Sequence, residues 1–168
     1  MDGRRCRPAK DDVEFSSVSA VGSNDVWAVG NACDKASGAV IEHWNGRRWT
    51  VVDSPALEHL PCLSDVDVIR ADDIWVVGAQ LGGATTRTVI EHWDGSAWST
   101  VPGGAGDLQS VSDAGSNDIW AVGLTVTRSH TSHTLIEHWN GDRWQVVDLP
   151  RQPGFDDNLM GVSARSDS

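Results

Sequence analysis

Nine tryptophans stand in a chain of 168 residues, and all nine keep one repeating register. Trp27, Trp75 and Trp120 share a phrase, read as Asp-Val-Trp-Ala-Val-Gly, Asp-Ile-Trp-Val-Val-Gly and Asp-Ile-Trp-Ala-Val-Gly. Trp44, Trp93 and Trp139 each end an Ile-Glu-His-Trp phrase, and Trp49, Trp98 and Trp144 follow five residues later. The first set recurs after 48 and 45 residues, the other two after 49 and 46. Periods of roughly 40–50 residues belong to modular all-β arrays in which each repeat is one small sheet.

Each unit reads as four short strands. In the first, Phe15 to Val21 is small and apolar and stops at the turn formers Gly22-Ser23-Asn24-Asp25. Val26 to Gly30 is rich in β-branched and aromatic residues, and Ala39 to Trp44 follows a polar loop. Asn45-Gly46 is a strong hairpin signal that leads into Arg47 to Val52, and Pro55 closes the unit. Asp94-Gly95 and Asn140-Gly141 are the matching turns in the other units, with Pro102 and Pro150 as terminators. Taking Asn45-Gly46 as a two-residue turn pairs Trp44 with Arg47, His43 with Arg48 and Glu42 with Trp49. Side chains alternate along a strand. Glu42, Trp44 and Trp49 are therefore expected on one face, as are Glu91, Trp93 and Trp98, and Glu137, Trp139 and Trp144.

The expected architecture is a partial β-propeller of four-stranded antiparallel blades, all-β throughout. Complete blades are expected over 13–55, 63–102 and 108–150. Residues 1–12 resemble the last strand of a preceding blade, since Asp2-Gly3-Arg4-Arg5-Cys6 matches Asn45-Gly46-Arg47-Arg48-Trp49. Residues 159–168 match the first strand of a further one. A ring needs about 4–8 blades, so either further blades or self-association is expected to complete it.

The phrases Val-Ser-Ala-x-x-Ser-Asn-Asp-Val-Trp-Ala-Val-Gly and Ile-Glu-His-Trp-Asn-Gly-x-x-Trp resemble the tandem repeats of bacterial kelch-like, tryptophan-rich propellers. Such repeats are common in secreted or surface proteins of actinobacteria and related soil bacteria. The resemblance runs from about Phe15 to Ala164 and implies a propeller fold in an extracellular setting; some bacterial propellers with Trp-rich repeats are lectins. The chain departs from true kelch blades in lacking their paired glycines and tyrosine, for it has no Tyr at all. It also lacks the Gly-His and Trp-Asp pairs of WD40 blades and the Asp-box spacing of sialidases.

Chemistry is sparse. The net charge is −11, from 24 acidic against 13 basic residues, which opposes binding to phosphate backbones. No apolar run is long enough for a membrane span, and no cofactor motif is present. Cys6, Cys33 and Cys62 lack metal-ligand spacing, and a Cys33–Cys62 bridge is as plausible as free thiols. His43, His92 and His138 lie on outer strands of separate units and cannot converge on one zinc; a tie to a neighbouring turn hydroxyl or carboxylate fits them better. The Asn24-Asp25, Asp72-Asp73 and Asn117-Asp118 turns read as side chains bonding their own backbone. The Glu-Trp-Trp sets have two readings. They could bind sugars, with indoles as platforms and carboxylates accepting from hydroxyls, or they could pack between blades as mortar. In the second case recognition moves to the loops Asn31 to Gly38, Ala79 to Arg87 and Leu124 to His133. The first strands offer two acids only in unit two, Asp65 and Asp67, so a non-catalytic module binding carbohydrate or protein is favoured over a piece of a glycosidase- or oxidase-type enzyme.

Overall fold

The computed structural model describes residues 13–32, 38–59, 61–80, 85–127, 131–149 and 157–166. It is all-β, with three four-stranded antiparallel sheets, each built from consecutive strands. Sheet 1 holds β1 (Val13–Gly22), β2 (Asp25–Ala32), β3 (Ala39–Trp44) and β4 (Trp49–Val51). A 3-10 turn, Pro55–His59, leads to sheet 2, with β5 (Cys62–Arg70), β6 (Asp73–Gln80), β7 (Arg87–Trp93) and β8 (Trp98–Thr100). Sheet 3 holds β9 (Asp107–Gly115), β10 (Asp118–Val126), β11 (Ser132–Trp139) and β12 (Trp144–Val146). Among the described residues no helix is long and apolar enough to cross a membrane. The segments 1–12 and 167–168 lie outside the described residues, and 159–166 forms no strand.

The hairpin register differs from the expectation. Trp44 pairs with Trp49, His43 with Thr50 and Glu42 with Val51. The central turn residues are thus Gly46 and Arg47, not Asn45 and Gly46. Asn45 instead caps the turn: its side-chain oxygen accepts the amides of Arg47 at 3.1 Å and Arg48 at 3.2 Å, while Gly46 takes a φ of 84°. Asp94 and Asn140 do the same in the other sheets. Short polar side chains that bond the backbone ahead favour this turn. The fourth strand is consequently two residues shorter at its start than expected. Because the slip is two residues, an even number, every side chain keeps its face.

Each Trp-x-Val-Gly glycine sits where the first strand bulges. A Cβ on Gly78 would meet the Cys62 carbonyl and stand 2.9 Å from Leu63 Cα. Gly30 and Gly123 face the same obstruction from Glu14 and Asp107. A repeated glycine in a strand here marks close backbone approach.

The sheets are stacked so that one face of each meets the opposite face of the next. Trp27, Val29 and Ile41 of sheet 1 pack against Val66, Ile74, Val76 and Trp98 of sheet 2. From the other side of sheet 2, Trp75, Val77 and Ile90 pack against Val111, Ile119, Ala121 and Trp144 of sheet 3. The middle sheet is covered twice, which is why β6 is buried almost continuously while β10 is not. Burying side chains on this scale, at about 1.5–3 kcal/mol for each large apolar group, supplies the main driving force.

Candidate functional site

The Glu-Trp-Trp sets occupy one face of each sheet, but their environments differ. In sheets 2 and 3 that face is inside an inter-sheet core. Trp27 approaches Trp93 at 5.4 Å and Trp98 at 5.6 Å between ring centroids. Trp75 approaches Trp139 at 5.0 Å and Trp144 at 5.5 Å. Trp98 and Trp144 are only 5% and 8% exposed, and their indole nitrogens have no acceptor. Glu91 is fully buried and accepts from Ser54 Oγ, Ala56 N at 2.9 Å and Thr100 Oγ1 at 2.7 Å. Glu137 accepts from Gly104 N at 3.0 Å, and burial pushes its carboxyl above the ordinary range. Each of these glutamates fastens the link that enters its own sheet, and Trp93, Trp98 and Trp144 pack in the cores with them, whereas Trp139 packs on one side and borders a cleft on the other. Glu42, Trp44 and Trp49 of sheet 1 lie on a face that no sheet among the described residues covers, with Trp49 45% exposed.

The opposite face carries a second repeated unit. Asp25 Oδ1 accepts from Trp27 Nε1 at 3.0 Å and from His43 Nε2 at 2.8 Å, and the imidazole stacks on the indole at 4.3 Å. Asp73, Trp75 and His92 repeat this at 3.1, 2.9 and 4.4 Å. Asp118, Trp120 and His138 do so at 2.9, 2.8 and 4.2 Å. Histidine is tied to a turn carboxylate, one of the partners expected for it. The aspartates, however, hold rings and not their own backbone, which corrects the reading of those turns. The physical reason is strand pairing: His43, His92 and His138 stand opposite Trp27, Trp75 and Trp120 on the adjacent strand, two residues from the aspartate. Among the described residues no three metal-ligating side chains are grouped to hold an ion.

The first strands meet through acids. Asp65 accepts from Ser17 Oγ at 2.6 Å, Ser110 Oγ at 2.9 Å and Val111 N at 2.9 Å, so one carboxylate joins three sheets. Asp67 accepts from Asp113 N at 2.7 Å. Burial, and then repulsion from Asp113, push Asp67 up to about 6. Cys62, at the start of β5, is an exposed free thiol whose pKa burial and Asp107 raise; Cys33 lies outside the described residues. Much of the three loops proposed for recognition also lies outside them.

What the structure adds is the cleft between sheets 2 and 3 at their turn ends, about 210 Å³, lined by Arg70, Asp73, Trp75, His92, Asn117 and Trp139 among others. Arg70 spans it: Nη1 donates to Ser116 Oγ at 2.9 Å, and Nε donates to Asp72 at 2.6 Å. The Arg70 side chain is more than half exposed. The residues paired like Arg70 in the other sheets are Gly22 and Gly115. Sequence reasoning passed over Arg70 because it followed what recurs; the available signal was the departure from the repeat, Arg where two glycines stand.

No protein-family model and no curated protein matches this chain. Among solved structures it is similar to a fucose lectin from Kordia zhangzhouensis, solved in complex with methyl-fucoside. The identity is 13% and the TM-score 0.51, over 80% of this chain and 99% of that one. At that identity the likeness concerns the fold alone.

Proposed function

We propose that this chain is a non-catalytic carbohydrate-binding module whose sheets are blades of a propeller and whose ligand sits in the cleft between sheets 2 and 3. The observation that carries the reading is the cleft's composition. A half-buried indole, Trp139, offers an apolar ring face, while Arg70, Asn117 and His92 supply polar groups around it. Sugars need this combination, because a pyranose has an apolar face and a rim of hydroxyls. Likeness in fold to a lectin supports the class of ligand, and the resemblance of the repeats to those of secreted propellers supports an extracellular or cell-surface setting. Asp65, the best-placed acid of the first strands, is engaged by three donors that join sheets, which favours a structural over a catalytic role.

The test is a glycan array followed by calorimetric titration with methyl-fucoside and other methyl glycosides, on the parent chain and on Arg70→Ala. Arg70 is exposed at the cleft rim, so the variant is expected to fold as the parent does. Binding that falls at least tenfold in Arg70→Ala with an unchanged melting temperature supports the site. Unaltered binding places the ligand elsewhere, and no binding to any glycan overturns the function.

A further inference from the structure

The two interfaces inside the chain show what each sheet face accepts. In both, an indole of the second strand enters a notch made by two indoles of the next sheet. The notch indoles are 5.7 Å apart in Trp93–Trp98 and 6.1 Å apart in Trp139–Trp144. Sheet 1 carries the same notch, Trp44 and Trp49 at 5.9 Å. Among the described residues nothing enters it. Trp49 is 45% exposed, and Val18 and Val51 on the same face are 64% and 63% exposed. Sheet 3 carries the matching plug: Trp120, stacked on His138 at 4.2 Å and held by Asp118, faces away from sheet 2.

We propose that the open notch of sheet 1 is an interface for a second copy of this chain, entered by that copy's Trp120 plug. The argument is complementarity already realised twice: the same parts, at the same spacing, fit between sheets 1 and 2 and between sheets 2 and 3. Each copy presents one notch and one plug, so the contact is head-to-tail, and it closes a ring or extends a fibre according to the rotation per step. An exposed apolar face of this kind marks an interaction site. The inference does not depend on the carbohydrate reading.

A segment of the chain itself competes for the plug face. Val162 N donates to Ser110 Oγ at 3.4 Å and Ala164 N to Ser112 Oγ at 3.1 Å. These repeat the bonds by which β9 sits on β5, Val111 N to Asp65 and Asp113 N to Asp67. Residues 159–166 therefore occupy the place that β1 of an incoming copy needs. Releasing them strengthens the association.

The experiment is size-exclusion chromatography with light scattering over a hundredfold range of concentration, on the full chain and on full-length variants. The parent is expected to associate as concentration rises, and Val162→Pro/Ala164→Pro, which removes both donors, to do so at a concentration at least tenfold lower. Trp49→Arg blocks the notch and Trp120→Arg the plug, so each alone is expected to stay monomeric while their mixture gives a 1:1 dimer and nothing larger. Val51→Arg is a second notch variant at a largely exposed position, which keeps the test valid should Trp49→Arg fold poorly. A parent and a proline variant that are both monomeric throughout overturn the proposal. So does association that survives Trp49→Arg and Val51→Arg, or a mixture of blocked variants that remains monomeric, since either result gives the notch a different occupant.

Discussion

Asp67 is a carboxylate that the fold would rather keep protonated, and replacing it with asparagine tests that directly. Its pKa rises from 3.8 to about 6, first because burial penalises the charge and then because Asp113 lies beside it. At ~1.36 kcal/mol per pH unit, that rise corresponds to ~3 kcal/mol of preference for the protonated form. The group is only half-buried, and solvent screening reduces the figure to about 1–2 kcal/mol. The folded chain binds a proton here more tightly than the unfolded chain does. Stability from this group is therefore full below about pH 4 and is lost as pH rises to about 6. An asparagine keeps an oxygen to accept from Asp113 N, carries no charge, and presents an amide to the Asp113 carboxylate. Asp67→Asn is accordingly expected to raise the melting temperature by about 2–6 °C at pH 7 and by almost nothing at pH 4. Calorimetric melts of parent and variant at pH 4, 5, 6 and 7 measure the difference. A gain of equal size at both ends, or a loss at pH 7, refutes the reasoning. Asp65→Asn supplies the contrast: its carboxylate is used by three donors from the neighbouring sheets and by Val66 N, so this change is expected to destabilise at pH 7.

Other consequences follow from position in the stack. Glu91→Ala strands two hydroxyls and a buried amide and is expected to cost about 3–5 kcal/mol in chemical denaturation; Glu42→Ala, at the same repeat position, is expected to cost under about 1 kcal/mol, and equal losses would contradict the assigned roles. Asp73→Ala leaves a buried indole and an imidazole without their acceptor and is expected to cost about 2–4 kcal/mol. Asp118→Ala, at an exposed copy of the same unit, should lose less than half of that in the same melts. Gly78→Ala forces a Cβ onto the Cys62 carbonyl and is expected to cost about 1–3 kcal/mol, with a wild-type melt ruling out the close approach.

How much of this was legible beforehand depends on the range of the interaction. Strand type, the number of strands per unit and the shared face of Glu42, Trp44 and Trp49 all follow from alternation along a few residues, and a two-residue error in the turn left those faces intact because two is the period of a strand. The turn itself was misread because Asn45 acts through its side chain, which a positive-φ argument about the backbone does not include. The Asp-Trp-His units were half visible: histidine needed a partner, but Asp25 and His43 are brought together only by pairing of β2 with β3.

The repeat by itself determined the all-β sheets, their face assignments and a supply of indoles too large for one sheet to bury. Only the tertiary structure decided the fate of each copy. Identical phrases yield a fully buried Glu91 and a half-buried Glu42, a Trp98 sealed in a core and a Trp49 open to solvent. The sequence of a repeat is written once per sheet, whereas burial is a property of two sheets together, set by which neighbour stands against each face.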